Sequence, residues 1–235
     1  MIYSTILMTI PKTIHRIDNI YIINLKERTD RWEHCLSQLK KYNITNYTRL
    51  DAIRPALKSM HPIQYSKNNL QLGNEYIIGA MGCKLSHLKA IVEAQKNNYE
   101  QILILEDDFL LANDFTKKFS AIADNINSNS VTIDMLYLGF STVRENAYED
   151  TDIDNLKKLT NGHAAHAYLL NRSFYSTIIT EILHCYCEID VCYAKMQQKH
   201  DIYGIHPCLV TQIESFSNIL SKDVSYDEYI ELDNK

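Results

Sequence analysis

The chain of 235 residues predicts an α/β sandwich around a mainly parallel central sheet. Three observations lead there. Short apolar runs of strand length alternate with amphipathic stretches of helical period. The run Ile102-Leu103-Ile104-Leu105 is apolar on both faces, as a strand covered on both sides must be, and it ends abruptly in Glu106-Asp107-Asp108. No internal repeat, low-complexity tract or Pro/Gly/Ser-rich linker divides the sequence. One domain over residues 1–235 is therefore expected, with a core from about 20 to 219 and an acidic tail from about 223 to 235.

Residues 20–24 read as the first strand. Thr29 or Asp30 can cap the helix that follows, in which Trp32, Cys35, Leu36, Leu39 and Tyr42 fall on one face. Residues 47–50 read as a second strand, and the poorly patterned segment 53–76, with Pro55 and Pro62, as loop. A helix over 81–96 turns Leu85, Leu88, Ile91 and Val92 inward. After the strand that ends in acid, Asn113 or Asp114 caps a helix striped by Phe115, Phe119, Ile122 and Ile126, and 135–138 returns as a strand. The polar stretch 144–159 reads as a mobile loop or excursion. A strand over 164–170, a helix capped by Ser173, and short strands over 202–205 and 208–211 complete the layout.

A content of 46% hydrophobic and 23% charged residues is that of a globular chain able to bury a core. The net charge of −5 supplies no basic field of the kind that attracts nucleic acid, so any phosphate must be met locally. No stretch is long and apolar enough to span a bilayer, and residues 1–10 lack a basic region and a small-residue cleavage site, so a soluble, cytoplasmic protein is expected. The six cysteines then read as reduced thiols. Cys185, Cys187 and Cys192 cluster near His184, but their spacing fits no common zinc module.

Three adjacent carboxylates repel one another and lose hydration if buried together. A hard divalent cation held by oxygen ligands, and bridging to the phosphates of a nucleotide, would make Glu106-Asp107-Asp108 favourable. A solvated turn after the strand is the plain alternative, although ligands of open α/β sheets do bind outside the carboxyl ends of strands. Two other stretches carry chemistry. In the segment 24–32, Arg28 and Arg31 stand at the start of a helix, where anions are favoured, or else form surface ion pairs with Glu27 and Asp30. In the segment 79–87, Gly79 and Gly82 allow close approach of a ligand or of a neighbouring element.

Taken together these residues resemble the family 25 glycosyltransferases, which include lipooligosaccharide galactosyltransferases, collagen galactosyltransferases and relatives from large DNA viruses. The resemblance covers roughly 20 to 219. It rests on Ile23-Asn24-Leu25 with Arg28, Asp30 and Arg31, on Leu50-Asp51-Ala52, on Gly82-Cys83-Lys84-Leu85-Ser86-His87 and on Leu105-Glu106-Asp107-Asp108. Tyr137-Leu138-Gly139, His166-Ala167-Tyr168 and His206-Pro207 support it.

The resemblance implies a GT-A type, Rossmann-like α/β/α sandwich and a metal-dependent transfer of a hexose, galactose or glucose, with inversion. The donor would be a UDP-sugar and the acceptor a glycan or glycosylated protein. Asp108 would ligate Mn²⁺ or Mg²⁺ directly, Glu106 would act through metal-bound water or the ribose, and His206 would be a further ligand unless it is merely packed. Asn24, Leu25, Arg28, Asp51 and Ala52 would line the nucleoside pocket, with Ser86, His87 and Asp107 near the donor. Arg31 would instead hold the fold through a carboxylate. Asp190 is the first choice of general base, Glu188 the second and Asp134 the third, while Asp190 could equally cap a helix over 191–198.

The chain departs from the collagen enzymes in its length and in showing neither a second glycosyltransferase domain nor a retention signal, so a collagen-type acceptor is not expected. A homodimer is compatible with the reading. A nucleotide-sugar or glycan-binding module without turnover is one alternative. A metal-dependent phosphohydrolase drawing on His163 and His166 is another.

Overall fold

The computed structural model describes residues 14, 16–56, 74–142, 144–213, 215–217 and 222–224. The first half contains β1 (Asn19–Asn24), α1 (Thr29–Lys41), β2 (Tyr47–Asp51), α2 (Asn74–Lys96), β3 (Gln101–Glu106), β4 (Phe109–Leu111) and α3 (Phe115–Ser128). The second half contains β5 (Met135–Tyr137), β6 (Tyr148–Asp150), β7 (Leu156–Leu159), β8 (Ala167–Asn171), α4 (Arg172–His184), α5 (Ile189–Ala194), β9 (Ile202–Ile205), β10 (Val210–Gln212), β11 (Ser215–Ser217) and β12 (Lys222–Val224).

Eight strands form one sheet in the order β2-β1-β3-β8-β5-β9-β7-β6. The pairings of β1 with β2 and β3, and of β5 with β9, are parallel. Only β8 and β7 run against the common direction, so the expected mainly parallel sheet is observed with two reversed strands. Both faces are covered. On one face Tyr21, Ile23, Ile102 and Ile104 pack with Ala90 and Ile91 of α2, Ile178 of α4 and Tyr193 of α5. Ile20, Ile22, Leu103 and Leu105 pack on the other, with Cys35 and Leu39 of α1 and Ile122 and Ile126 of α3. Successive residues of β1 and β3 thus alternate between two dry layers, which is why these strands carry no polar alternation. Each such aliphatic side chain contributes about 1.5–3 kcal/mol by leaving water.

Several local expectations are corrected. Arg28 occupies the N-cap position of α1, where no side chain makes the cap bond. Asp30 lies inside the first turn instead, its carboxylate occupied by the Arg28 guanidinium at 3.0 and 2.8 Å. Leu36 is 39% exposed, so the apolar stripe is narrower than its spacing suggests. Asp114 and Asn171 hold the N-cap positions of α3 and α4, again without side-chain cap bonds, and Asn113 and Ser173 are not the caps.

Helix α2 begins at Asn74 rather than near Met81, so Gly79 and Gly82 lie within it. The expected loop over 53–76 falls largely outside the described residues. The stretch 144–159, expected to be an excursion, supplies β6 and β7 of the main sheet. Its polarity is misleading because Leu156 and Leu159 are fully buried, while Lys157 pairs with Asp150 and Lys158 donates to the carbonyls of Gln197 and His200. Of two small antiparallel sheets, β4 with β10 and β11 with β12, only β10 was expected, from the strand over 208–211. Among the described residues no helix is long and apolar enough to cross a membrane.

Candidate functional site

Strands β2, β1 and β3 run side by side and end at one edge, with Asn24 level with Asp51 and Ile23 level with Glu106. The start of α1 and the glycine-bearing part of α2 close over that edge and leave a cavity of about 150 Å³. Gly82 makes the closure tight: a Cβ there would stand 2.4 Å from the Ile53 carbonyl oxygen. Ser86 ties the same two elements, donating to the Gly82 carbonyl at 2.6 Å and accepting from the Ile53 amide at 2.8 Å. Leu25, Arg28, Ala52, Ser86, His87, Glu106, Asp107 and Asp108 all line the cavity.

Arg31 meets the acidic end of β3. Its Nη1 donates to Asp107 Oδ1 at 2.6 Å and to Asp108 Oδ2 at 3.1 Å. Asp107 also accepts from Asn24 Nδ2 at 2.6 Å, and Arg49 in turn donates to Asn24 Oδ1 at 3.0 Å. Asn24 is therefore buried behind the cavity wall, where it orients Asp107, and is not part of the lining. Asp51 is also off the lining and pairs with Lys26 at 2.9 Å near the surface. Gln212 donates to Asp108 Oδ1 at 3.2 Å. Burial, reinforced by the charge of Glu106 and opposed by Arg31, pushes the Asp108 carboxyl up to about 7.

Glu106 has different partners. Burial works against its ionisation, yet the hydrogen bond and charge of His87 outweigh this and hold it below the ordinary carboxylate value. His87 Nε2 lies 3.1 Å from Glu106 Oε1, and its Nδ1 lies 2.8 Å from the Tyr168 hydroxyl, which contacts the Tyr193 hydroxyl at 2.9 Å. Cys83 donates to the same Glu106 oxygen at 3.6 Å. Ligand atoms of Cys83, His87 and Glu106 lie within 4.8 Å of one another and could hold a metal ion. Cys83 was not read as a ligand in the sequence, although its position one helical turn before His87 puts both on one face.

The candidate bases lie to one side. Glu188 Oε1 accepts from the Tyr76 hydroxyl at 2.9 Å. Asp190 Oδ2 is 3.5 Å from His163 Nδ1, and its Oδ1 accepts from the Val191 amide at 2.8 Å. Burial raises the Asp190 carboxyl, but His163 overrides this and holds it below its ordinary value. Neither residue lines the cavity, though the charge of Asp190 is felt by the Cys83 thiol, which does. Helix α5 spans Ile189–Ala194 rather than 191–198, with Glu188 at its N-cap position.

Two more expected residues lie farther from the cavity. Asp134 precedes β5 and so sits at the amino edge of the sheet, opposite the cavity, where it accepts from the Asp201 amide at 3.1 Å. His206 follows β9, three strand spacings or about 14 Å from β3. Its ring packs 6.1 Å from Phe140 and 5.4 Å from Tyr148. His166 contacts the Val210 carbonyl at 3.1 Å, and neither it nor His163 joins a cluster of three metal-ligating side chains among the described residues.

Comparisons with known proteins bear on the same segment. Human procollagen galactosyltransferase 2 is 28% identical over 134 residues, covering 52% of this chain and 20% of that protein. Procollagen lysyl hydroxylase and glycosyltransferase of Acanthamoeba polyphaga mimivirus is 26% identical over 170 residues, covering 66% and 18%. Human inactive glycosyltransferase 25 family member 3 is 24% identical over 149 residues, covering 60% and 24%. The chain thus matches about a fifth of the length of these relatives. Among solved structures, a glycosyltransferase involved in the glycosylation of the major capsid of PBCV-1 matches with a TM-score of 0.48 and 10% identity, covering 88% of this chain and 97% of that one. The profile of glycosyltransferase family 25 (LPS biosynthesis protein) matches residues 17–192, which takes in β1, β3, the acidic run and both candidate bases, and the chain belongs to that family.

Proposed function

We propose that the chain is a metal-dependent, inverting hexosyltransferase of GT-A type, with a UDP-sugar as donor and a glycan or glycosylated protein as acceptor. The observation that carries this reading is the make-up of one cavity. Carboxylates from the end of β3 share its lining with Arg28 and with apolar Leu25, Ala52 and Ile53. A nucleoside diphosphate sugar needs such a set, apolar surface for its base and charged groups for its phosphates.

Glu106 and Asp108 are the groups that would hold a divalent cation. They fit one, because Asp107 and Asp108 share the single guanidinium of Arg31 while the charge of Glu106 beside them helps keep Asp108 hard to ionise. Oxygen ligands of this kind suit Mn²⁺ or Mg²⁺, whereas Cys83 and His87 beside Glu106 offer a softer set that suits zinc-like ions. When bound, the cation supplies Lewis-acid stabilisation of charge on the departing diphosphate. Arg28 binds phosphate oxygens, Leu25, Ala52 and Ile53 exclude water from the base, and Arg31 holds Asp107 and Asp108 in place. In a direct displacement a carboxylate must take the proton of the acceptor hydroxyl. Asp190, kept ionised by His163, is that base in this reading, with Glu188 the second choice.

A module that binds a nucleotide-sugar without turnover is the second reading. It is favoured by one observation, that Arg31 already occupies oxygens of both Asp107 and Asp108. A panel of UDP-sugars with and without Mn²⁺, read by UDP release and thermal shift, separates the two. Metal-dependent UDP release from one UDP-hexose supports the enzyme, stabilisation without release supports the module, and no response to any UDP-sugar overturns both.

A further inference from the structure

The segment joining α4 to α5 holds Cys185 and Cys187, and Cys192 of α5 adjoins them, so three of the six cysteines gather away from the cavity. Cys185 Sγ lies 2.9 Å from Cys187 Sγ, and Cys192, whose thiol donates to the Glu181 carbonyl at 3.8 Å, is close enough to Cys185 to affect its ionisation. Two lysines attend the group. The buried Lys84 of α2 donates its ammonium to the carbonyls of Cys185 and Cys187, and Lys195 Nζ lies 3.3 Å from Cys187 Sγ. Cys185 and Cys187 are half-buried, and Tyr186 between them is 54% exposed, so small reagents in solvent reach the segment.

Cationic neighbours decide between the two roles such a cluster could take. Two ammonium groups disfavour a divalent cation and favour a thiolate. We infer that Cys185 is a nucleophilic, peroxide-sensitive thiolate whose oxidation is resolved by Cys187 into a Cys185–Cys187 disulfide. The neighbouring Cys192 thiol, against the effect of burial, and with it Cys187 and the charge of Lys84, bring the Cys185 thiol down to about 5. Burial and the adjoining Cys185 push the Cys187 thiol up against the opposing ammonium of Lys195, so Cys187 holds its proton more tightly than Cys185.

The chemistry balances with hydrogen peroxide as the oxidant. Cys185 sulfur attacks one peroxide oxygen, the O–O bond breaks, and the departing hydroxide takes a proton to leave as water, giving a sulfenic acid. Cys187 sulfur then attacks Cys185 sulfur, the S–O bond breaks, and hydroxide leaves with the Cys187 proton as a second water. Two thiols lose two electrons and one peroxide becomes two waters.

The folded protein treated with equimolar hydrogen peroxide, alkylated and cut by a glutamyl endopeptidase tests this. Cleavage after Glu181 and Glu188 isolates a peptide holding Cys185 and Cys187 from the one that begins at Ile189 and holds Cys192. The expected product is the 182–188 peptide lacking two hydrogens, formed in the folded protein much faster than in urea. Cys187→Ser should stop at a Cys185 sulfenic acid captured by dimedone, and Cys185→Ser should leave Cys187 alkylated. Linkage of the 182–188 peptide to the Cys192 peptide, equal oxidation of all cysteines, or no difference between folded and unfolded chains would each overturn the assignment.

Discussion

Arg31 and Asp107 form a buried ion pair, Nη1 to Oδ1 at 2.6 Å, with side chains 12% and 10% exposed. Breaking such a pair leaves a carboxylate in a poorly solvated place with its neighbour Asp108 beside it. Arg31→Ala should therefore lose about 3–5 kcal/mol of stability, measured by urea unfolding at neutral pH. A loss within the range of ordinary surface substitutions would show that the pair does not hold the acidic turn.

Much of this was legible in sequence and some was not, for identifiable reasons. β1, β3 and β9 announced themselves because strands between two apolar layers carry apolar residues on both faces. β7 did not, since Lys157 and Lys158 make a buried strand look polar while their ammonium groups find partners beyond it. The reversed β8 between β3 and β5 is a matter of strand order, which local pattern does not encode. At the site, the acidic run was plain, and the expected carboxylate partner of Arg31 is found in Asp107 and Asp108. The Cys83–His87 face lies inside the helix expected over 81–96, but that helix was read for its inward apolar stripe and its cysteine as a reduced thiol.

Gly82→Ala should destabilise the fold by about 1–3 kcal/mol although alanine is the better helix former by about 1 kcal/mol. The added methyl would meet the Ile53 carbonyl, which is fixed in place by the bond from its own amide to Ser86. Thermal unfolding decides the sign: a variant more stable than wild type would mean that this loop can move away from α2 freely.

Asp108→Asn tests the cation. With Mn²⁺ at about a hundred times its dissociation constant, binding adds about 2.7 kcal/mol and should raise the unfolding midpoint of the wild type by about 5–10 °C. The variant should show a clearly smaller rise. An equal rise in both would put the ion elsewhere, with the Cys83, His87 and Glu106 cluster the first place to look.

Asp190 gives a pH signature. Its carboxyl is held below the unfolded value of about 3.9 by His163, so its contribution is present above that value and is lost as pH falls through the lower folded value. The stability gap between wild type and Asp190→Asn should thus be full at pH 5 and shrink towards zero in stronger acid, read from urea midpoints across that range. A gap that widened in acid would contradict the pairing with His163.

The central claim is that one cavity binds the donor and that Asp190 serves the acceptor beside it. Calorimetric titration of UDP-hexoses in Mn²⁺, set beside UDP release with an acceptor glycan, tests it most directly. Arg28→Ala should weaken donor binding about tenfold or more, from loss of a charged hydrogen bond worth about 1.5–3 kcal/mol. Asp190→Asn should bind the donor like wild type yet turn over about a hundredfold or more slowly. Donor binding unchanged by Arg28→Ala, or turnover unchanged by Asp190→Asn at saturating donor and acceptor, would contradict the account.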